Sequence, residues 1–395
     1  MRTDGRTVRW SDGQTGGEQL TLLTVRPSDR LAILAKRARG TEFRRLPVRS
    51  ALNSPASTGM RFWSLNPYVG CEFGCSYCYA RDTHKWALER TGENGREREE
   101  TGDTGSLRAA ERRSNPAACD GIASGPSDPR NDGSSPVPSR SLPFSPAPDP
   151  FERLILVKSE LASVLRRTLD PARVGSTTIL IGTATDPYQP AERQFQVTRE
   201  VLETLLPYRG LSIAITTKSS LVTRDIDVLL RLSERHDIRV NLSLASTDAE
   251  LIRLLEPKTP LPHARLRALA ALTRAGVRAG VLIAPILPGL TDSWPSLAAV
   301  MEAAKAAGAH TVHGSALRLG PVARPRLLAV LRRELPDLAR RYEAHYANRA
   351  NARREYTSAL ARRVRLLREV YGFTEPPDEP DTPAARSAGD LIAAL

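Results

Sequence analysis

The sequence predicts an α/β fold, an open partial barrel of six βα units that ends in a basic helical extension. Three observations lead to it. Short apolar runs of strand length recur at 177–184, 211–217, 238–245, 277–286 and 310–317. Amphipathic stretches with helical spacing, 191–206, 221–235, 261–275 and 291–307, lie between them. The connections are short, and strand and helix alternating in this way argue for a parallel sheet. Residues 61–69 (RFWSLNPYV) add a strand ahead of the others, making six, and 79–90 can start a helix. The runs are apolar at most positions, as expected of strands covered on both faces. In such a barrel the chemistry sits at the C-terminal ends of the strands. The sequence shows no internal repeat of fixed period.

The flanking segments differ in kind. Residues 1–50 are polar and Arg-rich and read as a partly ordered N-terminal extension. The core is expected over 51–320, interrupted by 91–149. That stretch is rich in Gly, Ser, Pro, Asp and Arg and nearly free of large apolar side chains. It cannot bury enough surface to offset the entropy of ordering, so it reads as a disordered insertion, with Cys119 an incidental thiol inside it. Residues 321–373 form the basic helical extension, with thirteen arginines against five carboxylates. An acidic, Pro-containing flexible tail, 374–395, follows.

A chain of 395 residues accommodates one large barrel-type domain or two ordinary ones. The N-terminus has no apolar stretch of the secretory kind, and no run of eighteen apolar residues occurs. A cytoplasmic protein with no membrane partner is therefore expected. Three of the four cysteines fall within eight residues, which excludes a disulfide scaffold and points to a metal. The formal charge of +13, from 57 Lys and Arg against 44 Asp and Glu, favours a polyanionic partner, with nucleic acid the first candidate. A solvated Arg-rich surface is the competing explanation.

The central segment is LNPYVGCEFGCSYCYAR, residues 65–81, with spacing C-x3-C-x2-C. Thiolates so spaced on one tight loop can converge on a metal centre. A four-iron cluster held by protein alone uses four cysteines. Cys71, Cys75 and Cys78 supply three, which leaves one iron open to an external ligand. The rival is a structural zinc site in a nucleic-acid binding protein, with His84 recruited as fourth ligand, although no second cysteine knuckle accompanies the first.

With an aromatic residue before the third cysteine, this motif resembles that of the radical S-adenosylmethionine (radical SAM) superfamily. More narrowly, NPYxGCxxxCxYCYAR resembles the subgroup similar to spore photoproduct lyase. The agreement continues through TDPYQPAE (185–192), TTKS (216–219), EPKTPLP (256–262) and APILPGLTD (284–292). The resemblance implies a partial (β/α)6 radical SAM barrel. It also implies a [4Fe–4S] cluster on Cys71, Cys75 and Cys78, with S-adenosylmethionine chelating the fourth iron. A reductant such as flavodoxin or ferredoxin would feed the cluster, and a 5′-deoxyadenosyl radical would abstract hydrogen from substrate. The protein's part is to position and shield that chemistry.

Residue by residue, the resemblance places the Thr185 hydroxyl on the cofactor and pairs Lys218 with its carboxylate. Ser243 becomes a further polar cofactor contact, Tyr77 a neighbour of the adenine, and Pro285–Gly289 a wall beside it. Tyr79 matches a tyrosine of a hydrogen-transfer relay and is the catalytic candidate. In GTATDPY (182–188), Gly182 lets the backbone approach a ligand, and Thr183, Thr185 and Asp186 can hydrogen-bond one; a plain helix cap is the alternative. One departure matters. Spore photoproduct lyase uses a cysteine hydrogen donor at the end of the second strand, where this chain has Thr183. A hydroxyl holds its hydrogen too strongly for that role, so the substrate is left open between nucleic acid, a peptide and a small metabolite.

Overall fold

The computed structural model describes residues 33–36, 40–89 and 150–373. Ten strands form two sheets. They are β1 (Ile33–Lys36), β2 (Glu42–Arg45), β3 (Trp63–Leu65), β4 (Tyr68–Val69), β5 (Leu154–Val157), β6 (Ile179–Ile181), β7 (Ser212–Thr217), β8 (Asp237–Ser243), β9 (Ala279–Ile286) and β10 (Val312–Ala316). The larger sheet runs β3-β6-β7-β8-β9-β10, and every pairing in it is parallel. Its six strands are the six expected from the sequence, in chain order.

Side chains alternate between two environments along these strands. Ile213, Ile215, Ile238, Val240, Val281 and Ile283 are buried under the surrounding helices. On the opposite face Thr216, Arg239, Asn241 and Leu282 keep partial exposure, and Ser315 is exposed. One face thus supplies the core and the other is open. The expectation of strands covered on both faces is met on one side only.

The second sheet, β1-β2-β5-β4, was not expected. It draws β1 and β2 from within the 1–50 extension and pairs β2 in parallel with β5. It also takes half of the stretch read as one strand over 61–69. Pro67 has no N–H to give to a ladder, so the chain leaves the larger sheet after β3 and enters the smaller one as β4, antiparallel to β5.

The expected helices are present with two departures: the stretch 221–235 begins as the 3₁₀ segment Ser220–Asp225 before the helix Ile226–Ser233, and 191–206 is broken in two. Within 191–206, Gln196 takes a left-handed φ of 50° and divides Glu192–Phe195 from Val197–Leu205. Glu192 explains the break, because its carboxylate accepts from Thr198 N at 3.0 Å and Arg199 N at 3.2 Å and so caps the second helix. A helix at Ala249–Leu255, between β8 and β9, was missed.

The basic extension forms three helices, Arg324–Glu334, Pro336–Tyr346 and Arg354–Val370. The last packs on β10 and on the helix Trp294–Ala306. Tyr356 donates to Asp292 at 2.9 Å and Tyr342 to the Pro288 carbonyl at 2.8 Å. These two bonds hold the 287–292 loop after β9 beneath the extension. The insertion 91–149, Cys119 and the tail 374–395 lie outside the described residues. Among the described residues no helix is long and apolar enough to cross a membrane.

Candidate active site

The cysteine loop leaves β4 through Gly70, whose φ is +84°. A Cβ there would lie 2.7 Å from the Leu154 carbonyl, so only glycine lets the loop close on the turn before β5. Cys71 N then donates to Phe151 O at 2.9 Å. Cys71 and Cys75 are buried, Cys78 is partly exposed, and all three are free thiols. Burial pushes the pKa of Cys71 and Cys75 up. Asp186 adds to the effect at Cys71 and Glu256 at Cys75, where Lys218 opposes it. A bound metal is what converts such thiols to thiolates.

This donor set fits an iron–sulfur cluster: three thiols on one loop, with no disulfide among them. Among the described residues no three His, Cys, Asp or Glu side chains gather at the spacing of a single metal ion. His84, the fourth ligand of the zinc alternative, is buried against Phe151 and accepts from Gly70 N at Nδ1, 3.2 Å away. Its pKa is lowered to about 3 by burial and then by Lys158, so it stays neutral and supports the loop.

The turn after β6 holds the loop from the other side. The Thr185 hydroxyl donates to Gly70 O at 2.7 Å. Gln189 donates to the same carbonyl at 3.2 Å and accepts from Glu72 N at 2.9 Å. Asp186 accepts from Tyr188 N (2.9 Å), the Thr217 hydroxyl (2.6 Å) and Lys218 N (2.7 Å), which ties the ends of β6 and β7 together. In this arrangement the polar groups of Thr185 and Asp186 are engaged with the protein itself. Gly182 has a φ of +96°, and a Cβ on it would lie 2.5 Å from Thr216 O.

Thr183 belongs to a separate cluster. Its hydroxyl is 2.6 Å from Ser64 Oγ and accepts from Asn66 Nδ2 at 2.8 Å, while Asn66 Oδ1 receives Ala184 N at 2.8 Å. Tyr79 as a residue is 39% exposed at the rim, but its hydroxyl points inward and donates to the Thr183 carbonyl. Burial and then Cys78 push the Tyr79 pKa up to about 12, with Arg318 acting in the opposite direction.

Lys218, just past β7, meets Ser243 at the end of β8. Lys218 Nζ donates to Ser243 Oγ at 2.7 Å, lies 3.5 Å from Glu256 Oε1, and sits 5.7 Å from the centre of the Tyr77 ring. The Tyr77 hydroxyl donates to Glu256 Oε1, and Arg265 pairs with Glu256 Oε2 and donates to Ser243 O at 2.9 Å. Glu256 and Arg265 are wholly buried. Burial alone would raise the Glu256 pKa, but Arg265, Lys218 and Tyr77 hold it at about 2. Sequence reasoning quoted the EPKTPLP segment yet assigned Glu256 no role. An acidic residue followed by Pro carries no sign that it will be buried opposite an arginine nine positions later.

Glu152 was missed for the same reason. It is buried, lies against Gly74 in the cysteine loop, and pairs with Arg81 (2.7 Å), Lys258 (2.9 Å) and Arg326 (2.6 Å). Arg81 also donates to Cys75 O at 3.3 Å. Burial raises the Glu152 pKa, but these cations, Arg81 foremost, bring it below the usual carboxylate value.

A three-thiol loop thus faces a lysine and a serine at the ends of neighbouring parallel strands, and the comparisons supply the class. Residues 149–301 match the model of the Radical SAM superfamily, which supports an enzyme of that class. Such enzymes use S-adenosylmethionine with an iron–sulfur cluster and need a reductant. The cysteine loop lies ahead of the matched residues.

Among relatives, an uncharacterized protein of Mycobacterium tuberculosis is 29% identical over 350 residues, 88% of this chain and 86% of the relative. An uncharacterized protein of Methanocaldococcus jannaschii is 23% identical over 251 residues, 64% of this chain and 70% of the relative. Among solved structures, a spore photoproduct lyase double mutant with bound AdoMet and dinucleoside spore photoproduct is similar with a TM-score of 0.49 and 14% identity. That likeness covers 78% of this chain and 74% of the other.

Proposed function

We propose that the chain holds a [4Fe–4S] cluster on Cys71, Cys75 and Cys78, cleaves S-adenosylmethionine reductively, and abstracts hydrogen from a nucleic-acid substrate. One observation carries the cofactor half of this reading. Tyr77, between two of the cysteines, touches both Lys218 and Glu256, so the cluster loop and the cation at the end of β7 form one continuous site. When bound, the cluster and S-adenosylmethionine supply one-electron sulfonium cleavage and a carbon-centred radical for hydrogen abstraction. Lys218 offers the cofactor carboxylate a charge-assisted hydrogen bond, and Ser243 holds the ammonium in place. Tyr79 keeps a hydroxyl hydrogen at the rim, between Cys78 and Thr183.

Charge at the rim supports the substrate half. Leu319 N donates to Ala350 O at 2.7 Å, and Arg318 bridges to Asn351. These bonds bring the loop between the last two helices beside Arg318, which acts on Tyr79. Arg349, Arg353 and Arg354 on that segment are exposed, whereas Arg332 and Arg340 are already paired with Glu343 and Asp337. Arginines so placed suit phosphate contacts.

Two measurements on anaerobically reconstituted protein test the reading. Reduction with S-adenosylmethionine present should yield 5′-deoxyadenosine; a fully loaded cluster that yields none overturns the cofactor half. DNA or RNA should bind with an affinity that falls steeply with salt, and changing Arg349, Arg353 and Arg354 together to Glu should reduce that slope. Salt-independent or absent binding overturns the substrate half and favours a peptide or small metabolite.

A further inference from the structure

The Glu152 carboxylate sits directly behind the cysteine loop. A Cβ at Gly74, between Cys71 and Cys75, would lie 2.6 Å from Glu152 Oε2. Three cations from separate parts of the chain converge on this one group. Arg81 comes from the helix that follows the cysteines, Lys258 from the turn after Glu256, and Arg326 from the first helix of the basic extension. The side chains of Arg81 and Glu152 are 1% and 0% exposed, that of Arg326 13%.

The three cations outnumber the carboxylate they share. Solvent screens Arg81 and Arg326 little, whereas the Lys258 side chain is 41% exposed and is screened more. The same region is tied to the loop by further bonds. Ser76 N donates to Leu255 O at 2.9 Å, and Tyr77 donates to Glu256, two residues ahead of Lys258. Movement of the Leu255–Lys258 turn would therefore reach the cluster ligands and Lys218 together.

We propose that Glu152 is a positioning residue that seats the cysteine loop and, with Arg81, Lys258 and Arg326, sets the reduction potential of the cluster bound there. This rests on the cluster assignment made above. Adding an electron makes a cluster more negative, so net positive charge beside the loop favours the reduced state, and net charge is one of the levers on cluster potential. Through Arg326, the basic extension contributes to that charge.

The test is a redox titration, followed by electron paramagnetic resonance, of reconstituted parent protein and three variants. Glu152→Gln removes the negative charge and leaves the cations, so its midpoint potential should rise. Arg326→Gln and Lys258→Gln each remove a positive charge, so theirs should fall, less for Lys258 because it is more exposed. A purely structural role would lower iron content or thermal stability without this pair of opposite shifts. If Glu152→Gln does not retain a cluster, the sign of the Arg326 and Lys258 shifts decides. Potentials equal to the parent in those two, or shifted upward, overturn the proposal. A parent protein that assembles no cluster at all would instead sink the assignment on which it rests.

Discussion

Lys218 Nζ lies 3.5 Å from the carboxylate of Glu256, a wholly buried residue on a distant turn, and that carboxylate also receives Tyr77 and Arg265. Lys218 is thus held by one anion while its remaining hydrogen-bond capacity is directed at Ser243 and the space beside the cysteine loop. Lys218→Ala should weaken S-adenosylmethionine binding by about ten- to a hundred-fold, the scale of one charge-assisted bond. Iron content should stay at the parent level. Equilibrium binding and iron assay on the same sample check this, and unchanged affinity would show that the residue does not meet the cofactor.

Glu256 should matter for the fold as well. Removing one member of a buried ion pair leaves the other charge without its partner, at a cost of about 3–5 kcal/mol. Glu256→Ala should show that loss in urea denaturation of the cluster-free protein, because Arg265 stays buried behind it. Changing Arg265 and Glu256 together to apolar residues should cost less than either alone.

The cysteines are not equivalent to the chain's fourth thiol. Replacing Cys71, Cys75 or Cys78 singly with Ala should abolish the four-iron cluster, whereas Cys119→Ala should leave iron and sulfide unchanged. A Cys75→Ala protein with full iron and sulfide would contradict the ligand set.

Gly182→Ala tests the turn after β6. The φ of +96° and the 2.5 Å approach of a Cβ to Thr216 O predict a loss of at least about 1–3 kcal/mol of stability. Thr183→Ser, which keeps the hydroxyl bonded to Ser64 and Asn66, should cost far less in the same unfolding assay.

His84 gives stability a pH dependence. Its folded pKa of about 3 lies below the ordinary 6.5, so the unfolded chain binds the proton more readily. Its neutral form therefore stabilises the fold above about pH 6.5, and that contribution is lost as pH falls towards 3, with a limiting slope of about 1.4 kcal/mol per pH unit. Between pH 6.5 and 4.5 the effect precedes protonation of carboxylates such as Glu256. His84→Asn, which can still accept from Gly70 N, should make that part of the profile shallower in cluster-free protein, with His236 and His345, also lowered by burial, left to account for the remaining slope.

The sequence by itself determined the strands of the larger sheet, because an apolar run must be buried and the amphipathic helices between the runs supply the cover, although it did not show that one face would stay open. It also determined the cysteine loop, since three thiols within eight residues are close whatever the rest of the chain does. Lys218 and Ser243 were singled out through the resemblance and not from the residues alone, because a lysine or serine at a strand end is ordinarily just a solvated end residue. The structure puts the two side chains in contact at the ends of neighbouring strands. Only the tertiary structure decided the remainder. The split of 61–69 needed a second sheet for β4 to join, and β2, with the polar sequence EFRR, gave no periodic sign of one. Glu152, Glu256 and Arg265 look in sequence like ordinary surface charges. They become interior groups because partners from distant segments, Arg81, Lys258 and Arg326 for one carboxylate, Lys218, Tyr77 and Arg265 for the other, arrive with charge that offsets the cost of desolvation. That compensation is a property of three-dimensional neighbours, and no local pattern of residues encodes it.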